Sequence, residues 1–373
     1  MVIGFDAKRA FCNATGLGNY SRMIIGGLAE LHPGIGLRLY TPYRTAAYRS
    51  FFDAYGQVSV AEPRVRIGNN ALWRSYGVVK SIRRDGLDLF HGLSHELPHG
   101  LPDSLPAVVT MHDLAVWRFP GFFPWPDRAF YKKKQRDACD RADVVVAVSG
   151  QTRQDLVDIL GVPPEKIRVV HQSCHPRFER QVGTEERQRV RKKYGLPQRF
   201  ALCVGTVEER KNQHAVVEAF AQVDKTLSLV IVGKKKPYSR VVEEEIARKG
   251  LTARVLMLDG VDAADLPAMY GEAVCSVYMS LFEGFGIPVV ESLCCGTPVV
   301  CSNCSSLPEV GGEGALLADP SDPEAVADAI NRLASDPELR HAKSSAALTQ
   351  ASLFSKEKVI ADLVDVYSQF VKL

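Results

Sequence analysis

The chain lacks most of the features that would assign it to a specialised class. It has no run of about 18 apolar residues, so no segment reads as crossing a membrane. Its net charge is only +3, too small to argue for a nucleic-acid partner. It has no recognisable secretory leader, because Met1-Val-Ile-Gly-Phe-Asp6 opens directly as a strand. It also lacks paired cysteine hooks. The nine cysteines are scattered, and Cys294, Cys295, Cys301 and Cys304 fall in a short helix and after a strand rather than in two matched CxxC pairs. The expectation is a reducing cytosol, free thiols and no metal. A composition of 46% hydrophobic and 24% charged residues is that of a globular protein. The 373 residues allow about two to three domains.

What is present is an alternation of short apolar runs with helical segments. Strands are expected at Val2–Asp6, Gly36–Tyr40, Asp88–Gly92, Ala107–Asp113, Asp143–Ser149 and Ile167–His171. A second series starts at Phe200–Gly205 and continues through Ser228–Gly233, Arg254–Leu258 and Val274–Met279. Continuous runs such as Asp143–Ser149 fit strands buried on both faces, and strand–helix alternation argues for parallel sheets. A basic helix is expected from about Ala71 to Asp85. Residues 43–70 carry no clear pattern. The character changes near 172–180, which reads as a linker between two α/β halves. Helices close the chain at Pro323–Ser335 and from Ser355 to the end. In parallel sheets ligands bind beyond the carboxyl ends of the strands, and a cleft between two domains is the default ligand site.

Each half has a glycine-containing turn after its first strand. Thr15-Gly-Leu-Gly-Asn-Tyr-Ser21 reads as a phosphate-approaching loop or as a tight turn into a helix from about Tyr20. No acidic residue follows the second strand closely, which speaks against a dehydrogenase. The stronger signal lies in the second half. After the strand Val274–Met279, Gly284 and Gly286 free the backbone, Pro288 suits the first turn of a helix, and Gly296 with Pro298 ends it. A helix start behind a glycine loop is an anion site by geometry. Glu283 and Glu291 frame it. A phosphate site does not call for carboxylates, but hydroxyl groups do, since an ionised carboxylate only accepts. Phosphate flanked by hydroxyls suggests a nucleotide-diphospho-sugar. Arg210 and Lys211, after the first strand of this half, can meet the diphosphate and stabilise charge on a leaving group without a metal. Glu283 and Glu291 also have the alternative of a glycosidase pair, and Glu291 that of a helix-start carboxylate. His112 is either a satisfied histidine at a strand end or a contact to the sugar or reacting centre. The basic stretch Asp127–Asp143 is either a solvated face or an attraction to anionic lipid.

These residues resemble those of the retaining glycosyltransferases of family 4, and the resemblance covers almost the whole chain. Glu283-Gly-Phe-Gly-Ile-Pro-Val-Val-Glu291 is similar to the family's E-x7-E signature, and Gly205-Thr-Val-Glu-Glu-Arg-Lys-Asn212 to its donor-phosphate turn. His91-Gly-Leu, Thr110-Met-His-Asp-Leu114 and Val148-Ser149 resemble the bacterial mannosyltransferase-like branch. The resemblance implies the α/β GT-B fold, two Rossmann-like domains facing across a cleft. These would be 1–174 with a returning helix 355–373 on the acceptor side, and 175–354 on the nucleotide-sugar side. It implies that Glu283 contacts donor-sugar hydroxyls, that Glu291 holds the ribose, and that Arg210 and Lys211 take the diphosphate. The amides of Phe285, Gly286 and Ile287 would lie against sugar and phosphate. Gly16 and Gly18 would approach the diphosphate, and His112 would lie near the reacting centre. No metal or other cofactor is implied. Many relatives carry arginine where Thr206 stands, and threonine there fits the mannosyltransferase-like branch, so GDP-mannose is favoured over UDP-sugars. The implied activity is hexosyl transfer to a sugar or lipid-linked glycan in cell-surface polysaccharide synthesis, in the cytoplasm or on the inner face of the membrane. A GT-B-fold nucleotide-sugar isomerase and a non-catalytic nucleotide-sugar-binding protein are the alternatives.

Overall fold

The computed structural model describes residues 1–63 and 72–371. The expected start of the basic helix at Ala71 and the last two residues lie outside them. The chain divides into two compact units, one of Met1–Ser173 with Lys356–Leu373 and one of Cys174–Ser355.

The first unit is built on seven parallel strands: β1 (Val2–Asp6), β2 (Gly36–Tyr40), β3 (Val58–Ala61), β4 (Leu89–Gly92), β5 (Ala107–Met111), β6 (Val144–Ala147) and β7 (Ile167–Val169). Their spatial order is β3-β2-β1-β4-β5-β6-β7. The chain winds outward from β1 to β3, then crosses back and winds the other way from β4, which puts the switch point between β1 and β4. Val108, Val109, Val145 and Val146 are fully buried. Helices cover both faces, so these strands read as unbroken apolar runs. Strand β3 lies inside the stretch that shows no pattern in the sequence. It is a four-residue edge strand with one buried residue, too little hydrophobic signal to register.

Two further expectations shift at this level. After the short helix Lys8–Cys12, the helix expected from about Tyr20 begins at Gly16, so both glycines sit in its first turn (Gly16–Leu31). Ser149 belongs not to β6 but to the next helix, where its hydroxyl caps the Thr152 amide at 3.1 Å.

The second unit repeats the plan with six parallel strands: β8 (Phe200–Val204), β9 (Ser228–Val232), β10 (Val255–Leu258), β11 (Cys275–Tyr278), β12 (Val299–Ser302) and β13 (Ala315–Ala318). Their order is β10-β9-β8-β11-β12-β13, with the switch point between β8 and β11. Its core joins Val216, Phe220, Leu229, Ile231, Val277 and Val300 to the helix Pro323–Ser335. All nine cysteines are free.

The last helix, Lys356–Ser368, belongs to the first unit. Val359, Ile360, Leu363, Val366 and Tyr367 recur at helical spacing and are all buried in that unit's core. Tyr367 does more than fill space. Its hydroxyl meets His91 Nδ1 at 2.6 Å, His91 Nε2 meets Thr110 Oγ1 at 2.9 Å, and Thr110 meets the Tyr20 hydroxyl at 3.1 Å. This buried polar chain ties the terminal helix to β4, β5 and the helix Gly16–Leu31. Burial, and then the nearby His112, push the His91 pKa down to about 3, so the ring is neutral. Tyr367→Phe strands one buried nitrogen. It should cost about 1–3 kcal/mol, read as a lowered urea midpoint with unchanged m-value. An unaltered midpoint would show that the polar chain contributes nothing.

Candidate active site

The site of the second unit is assembled at the carboxyl ends of β8 and β11, on either side of the switch point. Beyond β8 a single turn, Glu209–Lys211, presents Arg210 and Lys211. It is closed by Asn212, which takes a left-handed conformation (φ 56°) and donates from its side-chain Nδ2 to the Pro320 carbonyl at 3.0 Å. Beyond β11 the chain turns through Glu283 to Gly286. The two loops are stitched together: the Leu281 amide donates to Arg210 O at 2.9 Å, and the Arg210 guanidinium donates to Phe282 O at 2.7 Å. Residues about 70 positions apart in sequence are thereby held in one register.

Three donors converge on one oxygen. Lys211 Nζ lies 2.6 Å, Arg210 2.8 Å and the Tyr278 hydroxyl 3.1 Å from Glu283 Oε1. Lys211 also bonds the Tyr278 hydroxyl. All three donors leave Glu283 Oε2 aside. Arg210 is held from its other side by Glu208 at 3.0 Å, and Glu208 by Lys236. Burial pushes the Glu283 carboxyl up, but Lys211 and Arg210 more than offset it and bring the pKa down to about 2. Burial works against the charged Arg210, but Glu283 outweighs it and raises its pKa. Glu283 is therefore a fixed anion. With Glu208 on Arg210 and Lys236 on Glu208, the cluster holds three cations against two carboxylates, one positive charge in surplus.

The helix Ile287–Cys294 starts beside this cluster. Its cap, Gly286, has φ +113°, and a Cβ there would come within 2.7 Å of Leu307 Cδ2, so only glycine fits. No side chain caps the helix, and Pro288 occupies its first turn. The loop is braced from below. The Glu283 amide donates to Ser305 Oγ at 3.1 Å, and the Ser306 hydroxyl donates to the carbonyls of Glu283 at 3.0 Å and Phe285 at 2.7 Å. Ser305 itself has φ 54°. Glu291 lies one turn into the helix and accepts from the Tyr270 hydroxyl at 3.1 Å. Burial raises its pKa to about 7 against the opposing Tyr270 hydrogen bond. The two carboxylates of the signature thus have opposite character, Glu283 locked as an anion and Glu291 poised at neutral pH.

Gly16, Gly18 and His112 belong to the first unit. A Cβ on Gly18 would fall 1.8 Å from Asn13 O, so this glycine is required by packing, whereas nothing lies within 4 Å of the corresponding point on Gly16. His112 follows β5. Its Nε2 lies 2.9 Å from the Leu93 carbonyl and its Nδ1 3.2 Å from the Gln172 amide nitrogen. A carbonyl only accepts, so the proton sits on Nε2 and Nδ1 accepts from Gln172. Burial, then His95, lowers the His112 pKa to about 3, and the ring is neutral. Tyr20, on the helix that Gly16 begins, packs edge-on against His112 with ring centroids 4.6 Å apart. Tyr278, Tyr270 and Lys236 escaped the sequence reading, which also gave Glu208, Ser305 and Ser306 no individual role. Only Tyr278 carries a signal, as a polar-tipped residue at a strand's carboxyl end five positions before Glu283.

With this geometry in hand, comparison decides the family. A family model described as "Glycosyltransferase Family 4" matches residues 14–175, and one described as "Glycosyl transferases group 1" matches residues 185–350. The chain is 31% identical over 266 residues to the O-antigen chain mannosyltransferase B of Escherichia coli, covering 70% of both chains. The chain is a family 4 glycosyltransferase. It is also 27% identical over 252 residues to the serotype-specific mannosyltransferase WbdA of Escherichia coli, spanning 66% of this chain and only 31% of that protein. Among solved structures, HepE of Anabaena in complex with UDP superimposes with a TM-score of 0.76 at 18% identity, covering 99% of each chain, which shows the GT-B fold. WaaG, a glycosyltransferase involved in lipopolysaccharide biosynthesis, gives 0.72 at 17% identity, covering 98% of this chain and 99% of that one.

The Glu283 cluster has a measurable acid signature. A carboxyl held near 2 when folded, against about 4.5 unfolded, adds stability that is fully present above pH 4.5 and lost as the pH falls toward 2. On linkage alone this is worth about 3 kcal/mol. Glu283→Gln should be less stable than the parent at pH 7 and differ little from it at pH 2.5, measured by urea unfolding across pH. A constant difference across that range would overturn the ion-cluster account.

Proposed function

We propose that this glycosyltransferase moves a hexosyl group, with mannose favoured, from a nucleotide-diphospho-sugar to a sugar or lipid-linked glycan acceptor, with retention of anomeric configuration. The observation that carries the reading is the convergence of Lys211 and Arg210 on Glu283 beside an uncapped helix start. We assign the surplus positive charge and the amides of Gly286 and Ile287, at the uncapped helix start, to one diphosphate. Such a set stabilises the negative charge that builds on a departing nucleoside diphosphate, and it does so without reorganising. Glu283, with Oε2 left aside by its three donors, accepts from donor-sugar hydroxyls. Glu291 accepts from the ribose. Gly16 approaches the diphosphate, and His112, neutral and edge-packed on Tyr20, borders the sugar.

Glu283 is tied by two cations and held ionised, so it is a poor candidate for a nucleophile that must swing onto the anomeric carbon. A displacement in which acceptor and leaving group share one face of the sugar accounts for retention. GDP-mannose is the favoured donor because mannosyltransferases are among the similar proteins. UDP-sugars are the alternative, as HepE holds UDP. The enzyme works in the cytoplasm, against the inner face of the membrane. No described helix is long and apolar enough to cross one. The helix Trp125–Arg141 instead exposes Trp125, Phe130 and Tyr131 beside Lys132 and Lys133, which suits a peripheral contact with anionic lipid.

Purified enzyme given GDP-, UDP- and ADP-sugars without acceptor should slowly hydrolyse one of them. No hydrolysis and no binding of any donor would overturn the reading. Lys211→Ala should weaken nucleoside diphosphate binding by about tenfold or more, since a charge-assisted bond is lost. Unchanged calorimetric affinity would remove the phosphate role.

Glu291 accepts hydroxyls through both oxygens only when ionised, since protonation turns one of them into a donor. With its pKa at about 7 in the free enzyme, affinity should fall about tenfold between pH 8 and pH 6 and level off above pH 8. Glu291→Gln should bind more weakly, and its remaining slope should be that of the nucleotide's own phosphate. Identical slopes in the parent and this variant would sink the ribose role.

A further inference from the structure

A second group of cations, outside the nucleotide site, occupies the carboxyl ends of β1, β4 and β5 in the first unit. Asp6 ends β1, and the short helix Lys8–Cys12 follows at once. Arg74 reaches in from the turn Trp73–Gly77 and donates to Asp6 Oδ2 at 2.7 Å and to the Ser94 hydroxyl at 3.2 Å. Glu96, four residues past β4, is paired with both Arg74 and Lys134. The two carboxylates are thus spent on Arg74 and Lys134. Lys8 Nζ and the Arg9 guanidinium form no hydrogen bond or ion pair with any described residue. Arg9 Nε is buried without a partner.

This arrangement is costly as it stands. Lys8 and Arg9 are half-buried, and a desolvated cation wants a counter-charge. Burial, then Arg74 and Arg9, lower the Lys8 pKa. Burial, then Arg74, bring Lys134 down to about 8. The charge of Arg9 also reaches His95 and His112 and helps to keep both rings neutral. His95, between Ser94 and Glu96, takes φ 64°. Only two other non-glycine residues among those described have a positive φ. They are Asn212 and Ser305, both in the loops around Glu283. Strain of this kind collects where a loop is held for a ligand. The place is also right, since β1 and β4 flank the switch point of the first sheet.

We propose that Lys8 and Arg9, backed by Arg74 and Lys134, form an anion subsite on the first unit that takes the phosphate of an acidic acceptor, either a phosphorylated sugar or a lipid diphosphate. The assignment to the acceptor rests on the proposed function, in which Arg210, Lys211 and the helix start of the second unit already serve the donor's diphosphate. The subsite itself does not rest on it. Arg9 offers a planar fork to two phosphate oxygens, and Lys8 a point charge to a third. Arg74 and Lys134, neutralised by Asp6 and Glu96, set the shape rather than the charge. A neutral glycan has nothing to offer two uncompensated cations, so the subsite selects acceptors by charge before any sugar hydroxyl is read.

The test is calorimetric titration of the full chain with inorganic pyrophosphate after the nucleotide site has been saturated with GDP or UDP. Pyrophosphate should still bind. The double variant Lys8→Gln/Arg9→Gln should weaken that binding by about tenfold or more while leaving nucleoside diphosphate affinity within about twofold. Arg9→Lys keeps the charge and should lose only about threefold, which guards against a folding artefact in the double variant. Loss of all pyrophosphate binding once nucleotide is bound would overturn the subsite, as would an unchanged affinity in the double variant. Two competitors then separate the sources. Displacement of pyrophosphate by glucose 1-phosphate marks a soluble sugar phosphate, and displacement by neutral vesicles carrying a polyprenyl diphosphate marks a lipid. Displacement by neither overturns the acceptor assignment. If no nucleotide binds and no donor is hydrolysed, the transferase reading fails, yet the pyrophosphate titration still reports on Lys8 and Arg9.

Discussion

The organisation of the second unit depends on a charge imbalance held around one carboxylate. Glu283 is taken out of water and can stay ionised only because Lys211 and Arg210 reach the same oxygen. This fixes the anion, and it also fixes both cations. Lysine and arginine are long and flexible, and each would lose rotamer freedom on meeting a phosphate. Here that cost is met during folding. The stitching of the two loops through Leu281, Arg210 and Phe282, the serines under the glycine turn and the left-handed Asn212 all serve to keep the three charged groups in reach of one another. Preorganisation of this kind is what distinguishes a site that stabilises developing charge from a patch that merely attracts it.

The two units solve related problems with opposite means. In the second, cations are anchored by a carboxylate and keep a small surplus. In the first, Asp6 and Glu96 pair with Arg74 and Lys134, and the side chains of Lys8 and Arg9 form no hydrogen bond or ion pair with any described residue. Both arrangements lie beyond the carboxyl ends of strands that flank a switch point, where the two halves of a parallel sheet diverge and leave room.

Much of this was legible from the sequence, and the legible part has a common cause. Strands such as β6, β8 and β11 lie between helices and must be apolar on both faces, so they announce themselves as runs. The turn Glu283–Gly286 announces itself because only glycine tolerates the backbone at Gly286 and the close approach of Leu307. What stayed hidden were pairings across long stretches of chain. Nothing near Lys211 says that its partner is Glu283, 72 residues on, and nothing near His91 points to Tyr367. β3 was invisible because an edge strand needs little hydrophobicity. Gly18 carries a second reason to be glycine that the sequence does not show, since the Asn13 carbonyl would exclude any side chain there.

The placement of Lys356–Ser368 in the first unit has a consequence for how the protein comes into being. The second unit, Cys174–Ser355, is encoded without interruption and has its whole core once Ser355 has left the ribosome. The first unit begins before it, yet the side chains of Val359, Ile360, Leu363, Val366 and Tyr367 that complete its core emerge only after the whole second unit. Until then its core lacks those five side chains, and His91 lacks its Tyr367 partner. The order of birth and the order of completion are therefore reversed, and a chain cut after Ser355 carries a finished second unit and an unfinished first.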